Sequence, residues 1–379
     1  MSRPEAARRV MRSIGLVLGG VMVLLGGWGL WILTSGPAPG AEAWDARTVA
    51  QLRFLSDDLD RKADAMQRQF PEGRLFTLAL TGIAWAEVDR PDLRAEALGN
   101  ARRALALTEA ETSTATFGPA GGLPHGMFYE AWTARLRAAV LRLDPEAADV
   151  RDALRASCDR LDGVLASGPL HADSYPGAAW PADNVVGAAA LAACGDLVAP
   201  RYRDTAEAWL VRARQEVDPE TGLIPHAAGR PEARGSSSAL MIPFWAEVDP
   251  AFAEDQYRAF VSAFATRLGG VAPTFREYPT GVDGLGDVDS GPLVTGVSAP
   301  ASVVGIAAAL SVGDAEAARA LRASTEAVGV PVQWGGRRRY GLGALPVGGA
   351  FLAWASTRPP AGAASASAVD GWRLRRRRA

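Results

Sequence analysis

Helical segments of two kinds alternate along the chain. Trp44–Gln69 is long and charged, and Pro71–Val88 (PEGRLFTLALTGIAWAEV) is apolar. Charged Asp92–Leu107 precedes Gly126–Leu143, and charged Pro145–Leu165 precedes apolar Pro176–Cys194 (PGAAWPADNVVGAAALAAC). Charged Pro200–Val217 precedes Gly235–Glu247; amphipathic Pro250–Leu268 precedes Pro292–Leu310; charged Asp314–Ala327 precedes Gly341–Ala355. A helix apolar on every side is buried on every side, whereas one with a charged face lies at the surface. The pattern predicts an all-α fold of six helical hairpins, an (α/α)6 toroid with six buried helices inside six half-exposed ones. Ala and Leu dominate and no β-branched alternation is sustained, so strands are not expected. A superhelical array of helical repeats is the alternative.

A different pattern precedes the first pair. Ile14–Leu33 (IGLVLGGVMVLLGGWGLWIL) carries no charge and no proline. As a helix it spans roughly 30 Å, a bilayer core. Arg3, Arg8, Arg9 and Arg12 precede it, a bias that keeps the N-terminus in the cytoplasm, and Trp28 and Trp31 suit the far headgroup layer. The expected order is a basic cytoplasmic N-terminus (1–13), a transmembrane signal anchor (14–34), a linker (35–43), the toroid (44–356) and a disordered basic tail (357–379). The domain is then extracytoplasmic, on a single-pass protein of the cell membrane. A cleaved signal peptide ending at Ala41-Glu42-Ala43 is the rival reading, disfavoured by the length of the apolar run.

Composition narrows the chemistry. The 379-residue chain has a net charge of −2, so no bulk attraction to nucleic acid is expected. The single lysine, Lys62, lies in a charged amphipathic stretch, which argues against Schiff-base chemistry. Cys158 and Cys194 are the only cysteines; counted from the expected helix ends they sit at different heights, which predicts two free buried thiols. In the tail, Trp372 and Arg373, Arg375, Arg376, Arg377 and Arg378 suit either solvent or anionic lipid headgroups. No GxSxG, P-loop or HExxH motif occurs.

The loops entering the apolar helices concentrate the remaining chemistry: Gly121–Glu130, Leu170–Asn184, Leu223–Ser238, Phe275–Pro292 and Arg337–Gly343. In a toroid they converge at one mouth, a concave site on a rigid scaffold. His125, His171 and His226 are all here, spaced unlike a metal motif, and no metal or cofactor is expected. Asp183, beside Asn184 in apolar surroundings, must be paired or have a raised pKa, and Glu130 holds the same position in its hairpin. Asp283, Asp287 and Asp289 alternate with glycine, but the EF-hand glutamate is missing; Asp287 or Asp289 serves as a carboxylate base or a helix cap. Arg234 opens an inner helix and either binds an anionic group or caps that helix. Tyr129, Tyr175, Trp180, Tyr278 and Tyr340 offer aromatic faces.

Six hairpins with an aromatic, acidic mouth resemble the six-hairpin glycosidase superfamily. The segments Tyr175-Pro176 through Trp180 to Asp183-Asn184, and Gly286–Pro292 (GDVDSGP), are similar to proteins related to linalool dehydratase/isomerase, which share that toroid. That enzyme's pocket cysteines have no counterpart in helix-body Cys158 and Cys194. The resemblance implies an envelope enzyme, a glycan-directed hydrolase or lyase. Its catalytic carboxylates come from Asp183, Asp287, Asp289 and Glu130, with His125, Tyr129, His171, Tyr175, Trp180, Asn184, His226, Arg234, Tyr278 and Tyr340 lining the pocket. The alternative is a non-catalytic ligand-binding or assembly protein of an envelope complex.

Overall fold

The computed structural model describes residues 41–88 and 90–359. Among them are fourteen α-helices and two antiparallel two-stranded sheets. The all-α class fits. Six helices form an inner set: α3 (Gly73–Ala86), α6 (Gly126–Leu143), α8 (Pro181–Leu197), α10 (Gly235–Val248), α12 (Ala299–Ser311) and α14 (Pro346–Thr357). Each packs on the next, and α14 returns to α3, so the set closes on itself. Outside it lie α1 (Ala41–Ser56) with α2 (Leu59–Gln67), then α4 (Arg94–Glu109), α7 (Ala148–Ser167), α9 (Arg201–Ala213), α11 (Pro250–Phe264) and α13 (Ala315–Val328). The remaining helix, α5, is the single turn Glu111–Thr114.

Local chemistry fixes several starts. Asp249, Ser298 and Asp314 cap α11, α12 and α13, accepting from the backbone N–H of Phe252, Ala301 and Ala317. Proline at the first turn of α8, α11 and α14 occupies a position with no helical N–H to lose. The centre of the ring is packed: Phe76 of α3, Phe128 and Trp132 of α6, Phe244 of α10, and Phe351 and Trp354 of α14 meet at ring separations of 4.9–6.4 Å. Burial of each such side chain contributes about 1.5–3 kcal/mol.

Four expectations are corrected. The first is the membrane helix ahead of the helical domain. Among the described residues no helix is long and apolar enough to cross a membrane, and the expected 14–34 segment lies outside them. The second is the single-pass placement, with a cytoplasmic N-terminus and an extracytoplasmic domain; it rested on that helix and falls with it. The third is the pair of free thiols. Cys158 and Cys194 form a disulfide with Cα atoms 6.1 Å apart. Helix α8 begins at Pro181, later than the expected Pro176, which brings the two cysteines closer to level. The fourth is the absence of strands: β1 (Ala265–Leu268) pairs with β2 (Ala272–Phe275), and β3 (Val332–Trp334) with β4 (Arg337–Arg339). These hairpins sit in the α11–α12 and α13–α14 connections, too short for the period-2 signal to register. The C-terminal arginine cluster lies outside the described residues. Arg358, expected in the tail, is buried.

Candidate functional site

The entrances to the inner helices touch one another, which defines one mouth. The Met127 backbone N–H donates to Asp173 (3.0 Å), that of Ala228 to Ala179 (3.1 Å) and that of Gly235 to Glu277 (2.8 Å). Two glycines permit this closeness. A Cβ on Gly126 (φ +72°) would lie 2.2 Å from the Ser174 carbonyl oxygen, and one on Gly235 would lie 2.0 Å from that of Arg276. The Tyr175 hydroxyl, ahead of α8, reaches across to donate to Glu72, ahead of α3, at 2.9 Å. Phe117 and Phe128 back the Tyr175 ring at 6.1 and 5.7 Å.

Asp183 lies in the first turn of α8, only 6% exposed. It has no ion pair among the described residues. Burial pushes its carboxyl up to about 7; a hydrogen bond with Ser174 opposes this, while the charges of Asp289 and Glu72 add to it. A helix N-terminus favours a carboxylate, so burial here outweighs the helix dipole. The Tyr175 phenol is raised above its ordinary value by burial and then by Asp183 and Glu72.

Arg234 organises the neighbouring wall. Its Nε donates to Glu277 at 2.9 Å, its Nη1 donates to Asp287, and its guanidinium lies 5.2 Å from the Tyr278 ring centre. Glu277 is fully buried; it also accepts from the Ser236 hydroxyl at 2.7 Å, and burial raises its pKa against the pull of Ser236 and Arg234. Burial would raise Asp287 as well, but Arg234 and the Ser290 N–H hold it well below the carboxylate range. Asp289 keeps 48% of its side chain open to solvent, yet the walls around it, then Asp287 and Glu72, raise it to about 6. The open face makes this the softer of the two raised aspartates. The His226 ring lies 5.1 Å from that of Trp180 and tilted to it, with Nδ1 2.5 Å from Ser237 Oγ and Nε2 3.4 Å from Arg234 Nη1. Burial and then Arg234 lower it to about 4, so it is neutral at pH 7.

His226, Asp287 and Asp289 bring one ligand-type atom each within 4.8 Å of one another. The occupancy of Asp287 argues against a metal there. Asp287 Oδ1 accepts from Asp289 N, Ser290 N and Ser290 Oγ, and Oδ2 accepts from Arg234. The guanidinium already supplies the positive charge.

The mouth thus gathers Tyr175, Trp180, Asp183, His226, Arg234, Tyr278, Asp287 and Asp289 from the expected set. Other members point elsewhere. Glu130 is buried against Arg160 at 2.8 Å, and His171 faces Glu216 at 3.4 Å. Asn184 is a clamp: its Oδ1 accepts from Ala172 N, and its Nδ2 donates to the carbonyls of Ala172 and Trp180. Tyr129 donates to the Thr108 carbonyl, and His125 Nδ1 sits 3.0 Å from that of Phe117. Tyr340 donates to Glu326 at 2.5 Å, between α13 and β4. Sequence reasoning missed Glu72, Ser174 and Glu277. The entrance to α3 (PEG) was not counted with the other five, although the same logic covers it. Glu277 lies in a loop that was singled out, beside Tyr278.

No family model matches the chain, and no curated protein matches it.

Proposed function

We propose that this protein is a glycoside-cleaving hydrolase whose acid and base are the mouth carboxylates Asp183 and Asp289. The observation that carries the reading is Asp183, a buried carboxyl without an ion pair, held near 7 at the mouth of the ring. The buried structural acids Glu130 and Glu247 are held by arginines, and Asp218 by three hydrogen bonds to its loop, whereas Asp183 has Ser174 alone among the described residues. A carboxyl poised near neutrality suits proton transfer. In this reading protonated Asp183 gives its proton to the glycosidic oxygen as the C–O bond breaks. Ionised Asp289 takes a proton from the water whose oxygen bonds to the anomeric carbon. Asp287, kept anionic by Arg234, fixes the loop that carries Asp289. Trp180 and Tyr175 offer faces for sugar rings.

Asp289 must be ionised and Asp183 protonated, so kcat/KM is expected to be bell-shaped, falling below about 6 and above about 7. The two values belong to the coupled pair. The test is a screen of glycan oligomers for reducing-end release, with Asp183→Asn as the control. Turnover in the parent that the folded variant lacks supports the reading. Turnover that survives in the variant, or an unsaturated product in place of hydrolysis, overturns it.

A further inference from the structure

We propose that residues 282–294, in the connection that carries Asp287 and Asp289, form an apolar lip, so that the mouth takes an uncharged saccharide bearing a hydrocarbon chain. This rests on the hydrolase reading and names its substrate class. Val282, Leu285, Val288 and Val294 stand 42%, 88%, 62% and 58% exposed within this one connection. Scattered exposed apolar side chains are ordinary, whereas grouped ones mark a binding surface. The grouping extends to the next connection round the ring, where Trp334 and Leu345 are also exposed. Among the described residues, none of the connections at the opposite end carries a large exposed apolar side chain. Folding alone gives no reason for that asymmetry, because both ends are built on the same helices.

The lip is inside out, and its backbone is fixed that way. Ser290 is fully buried and, with Arg234, holds Asp287 inward. The Tyr278 hydroxyl donates to the Leu285 carbonyl at 2.9 Å, and Arg276 Nη2 donates to that of Val282 at 3.3 Å. A Cβ on Gly284 would lie 2.3 Å from the Tyr278 ring, so glycine lets the chain lie against that ring. Leu285 is thus held in solvent by a pinned backbone. Two observations select what covers it. Val288 lies between Asp287 and Asp289, so the lip is continuous with the carboxylates that meet the sugar in the hydrolase reading. The charges on the lip are Asp283, Asp287 and Asp289, and the cation facing Asp283, Arg276 at 3.7 Å, is turned to the carbonyls of Tyr278 and Val282. Such a surface repels anionic lipid headgroups and acidic saccharides, but not a hydrocarbon chain on a neutral sugar.

Titration calorimetry below micelle-forming concentrations tests this with two probe pairs, methyl and octyl glucoside and methyl and octyl maltoside. The octyl members are expected to bind at least about tenfold more tightly than the methyl ones, the effect of burying about two methylene groups. Leu285→Ser and Val294→Ser are each expected to reduce that preference severalfold at an unchanged melting temperature. Val211 is as exposed as Val288 but lies on α9, and Val211→Ser is expected to keep the preference. An octyl preference absent from both pairs overturns the inference, as does one that the lip variants leave intact or that Val211→Ser lowers equally. Flotation with phosphatidylcholine vesicles and sedimentation of the protein alone test other occupants. Vesicle binding or self-association that Leu285→Ser abolishes, without an octyl preference, gives the lip to a bilayer or a second copy and overturns the inference. Turnover of oligosaccharides with no octyl preference removes this inference and leaves the hydrolase reading. Octyl-selective binding without turnover of any glycoside keeps the apolar lip and removes the hydrolase reading.

Discussion

The two ends of the helical ring handle buried charge in opposite ways. At the end where the inner helices finish, Arg135 of α6 forms a two-pronged pair with Glu247 of α10 at 2.6 and 2.8 Å. Arg358, just beyond α14, bridges Glu87 and Glu247 at 2.6 Å each. Burial would raise Glu247, but Arg135 and Arg358 hold it below its ordinary value. Two arginines bridge the two glutamates, and the charge of Arg142 reaches both as well. At the mouth, one arginine faces Glu277 and Asp287, while Glu72, Asp183 and Asp289 have no arginine ion pair among the described residues. Both ends are built on the same helices, so the scaffold does not force the difference. Paired charge joins helices at one end; unpaired charge is kept available at the other.

The comparison breaks most sharply at Asp183. Asp183→Asn is expected to lower kcat by about 10²–10⁴ on whichever oligomer is turned over, since general acid catalysis contributes on that scale. Its effect on stability should run the other way. A carboxyl raised in the folded state adds stability that is present at low pH and lost as pH rises through about 7. The amide removes that loss, so the variant's melting temperature should climb relative to the parent's between about pH 4 and pH 8. A difference that stays flat or falls over that range would make Asp183 a structural group like Glu247.

At the opposite end, Arg358→Met leaves Glu87 and Glu247 without one of their cations. Breaking a buried pair of this kind costs about 3–5 kcal/mol, read as a shift in the urea midpoint. If unfolding is unchanged, the closed end is not the fastening described here. The Cys158–Cys194 bond ties α7 to α8 on the outside of the ring and closes a loop of 36 residues. Reduction, or a Cys158→Ala/Cys194→Ala variant, is expected to lower stability by about 3–4 kcal/mol in the chain-entropy account, with the same pH profile of activity.

How much of this was legible depends on distance along the chain. The helical class follows from local periodicity, and Pro181, Ser298 and Asp314 mark helix starts by local chemistry. Entrance loops rich in glycine, aromatics and acids pointed to Asp183, Asp287 and Asp289. Partners were not legible, because pairing is a tertiary fact. Nothing near Glu130 in sequence announces Arg160, and nothing near Tyr175 announces Glu72, 103 residues away. The disulfide was misjudged because a few residues of error in a helix start move a side chain by several ångströms along the axis.

Glu130 offers the finest test, because the sequence alone could not tell it from Asp183. Both are buried acids near the starts of inner helices, Glu130 after Phe128-Tyr129 and Asp183 after Trp180-Pro181. Asp183 stays at the mouth without a cation. Glu130 turns outward to α7, where Arg160 donates to it through Nε at 3.2 Å and Nη2 at 2.8 Å. Glu130→Gln keeps the shape and removes the charge. It is expected to cost about 1–3 kcal/mol of stability, the scale of a weakened charged hydrogen bond in a buried place. Activity per folded molecule should stay within about twofold of the parent, against a loss of about a hundredfold or more for the matching change at Asp183. Equal losses of activity at both positions would mean that the distinction between paired and unpaired carboxyls does not locate the chemistry in this ring.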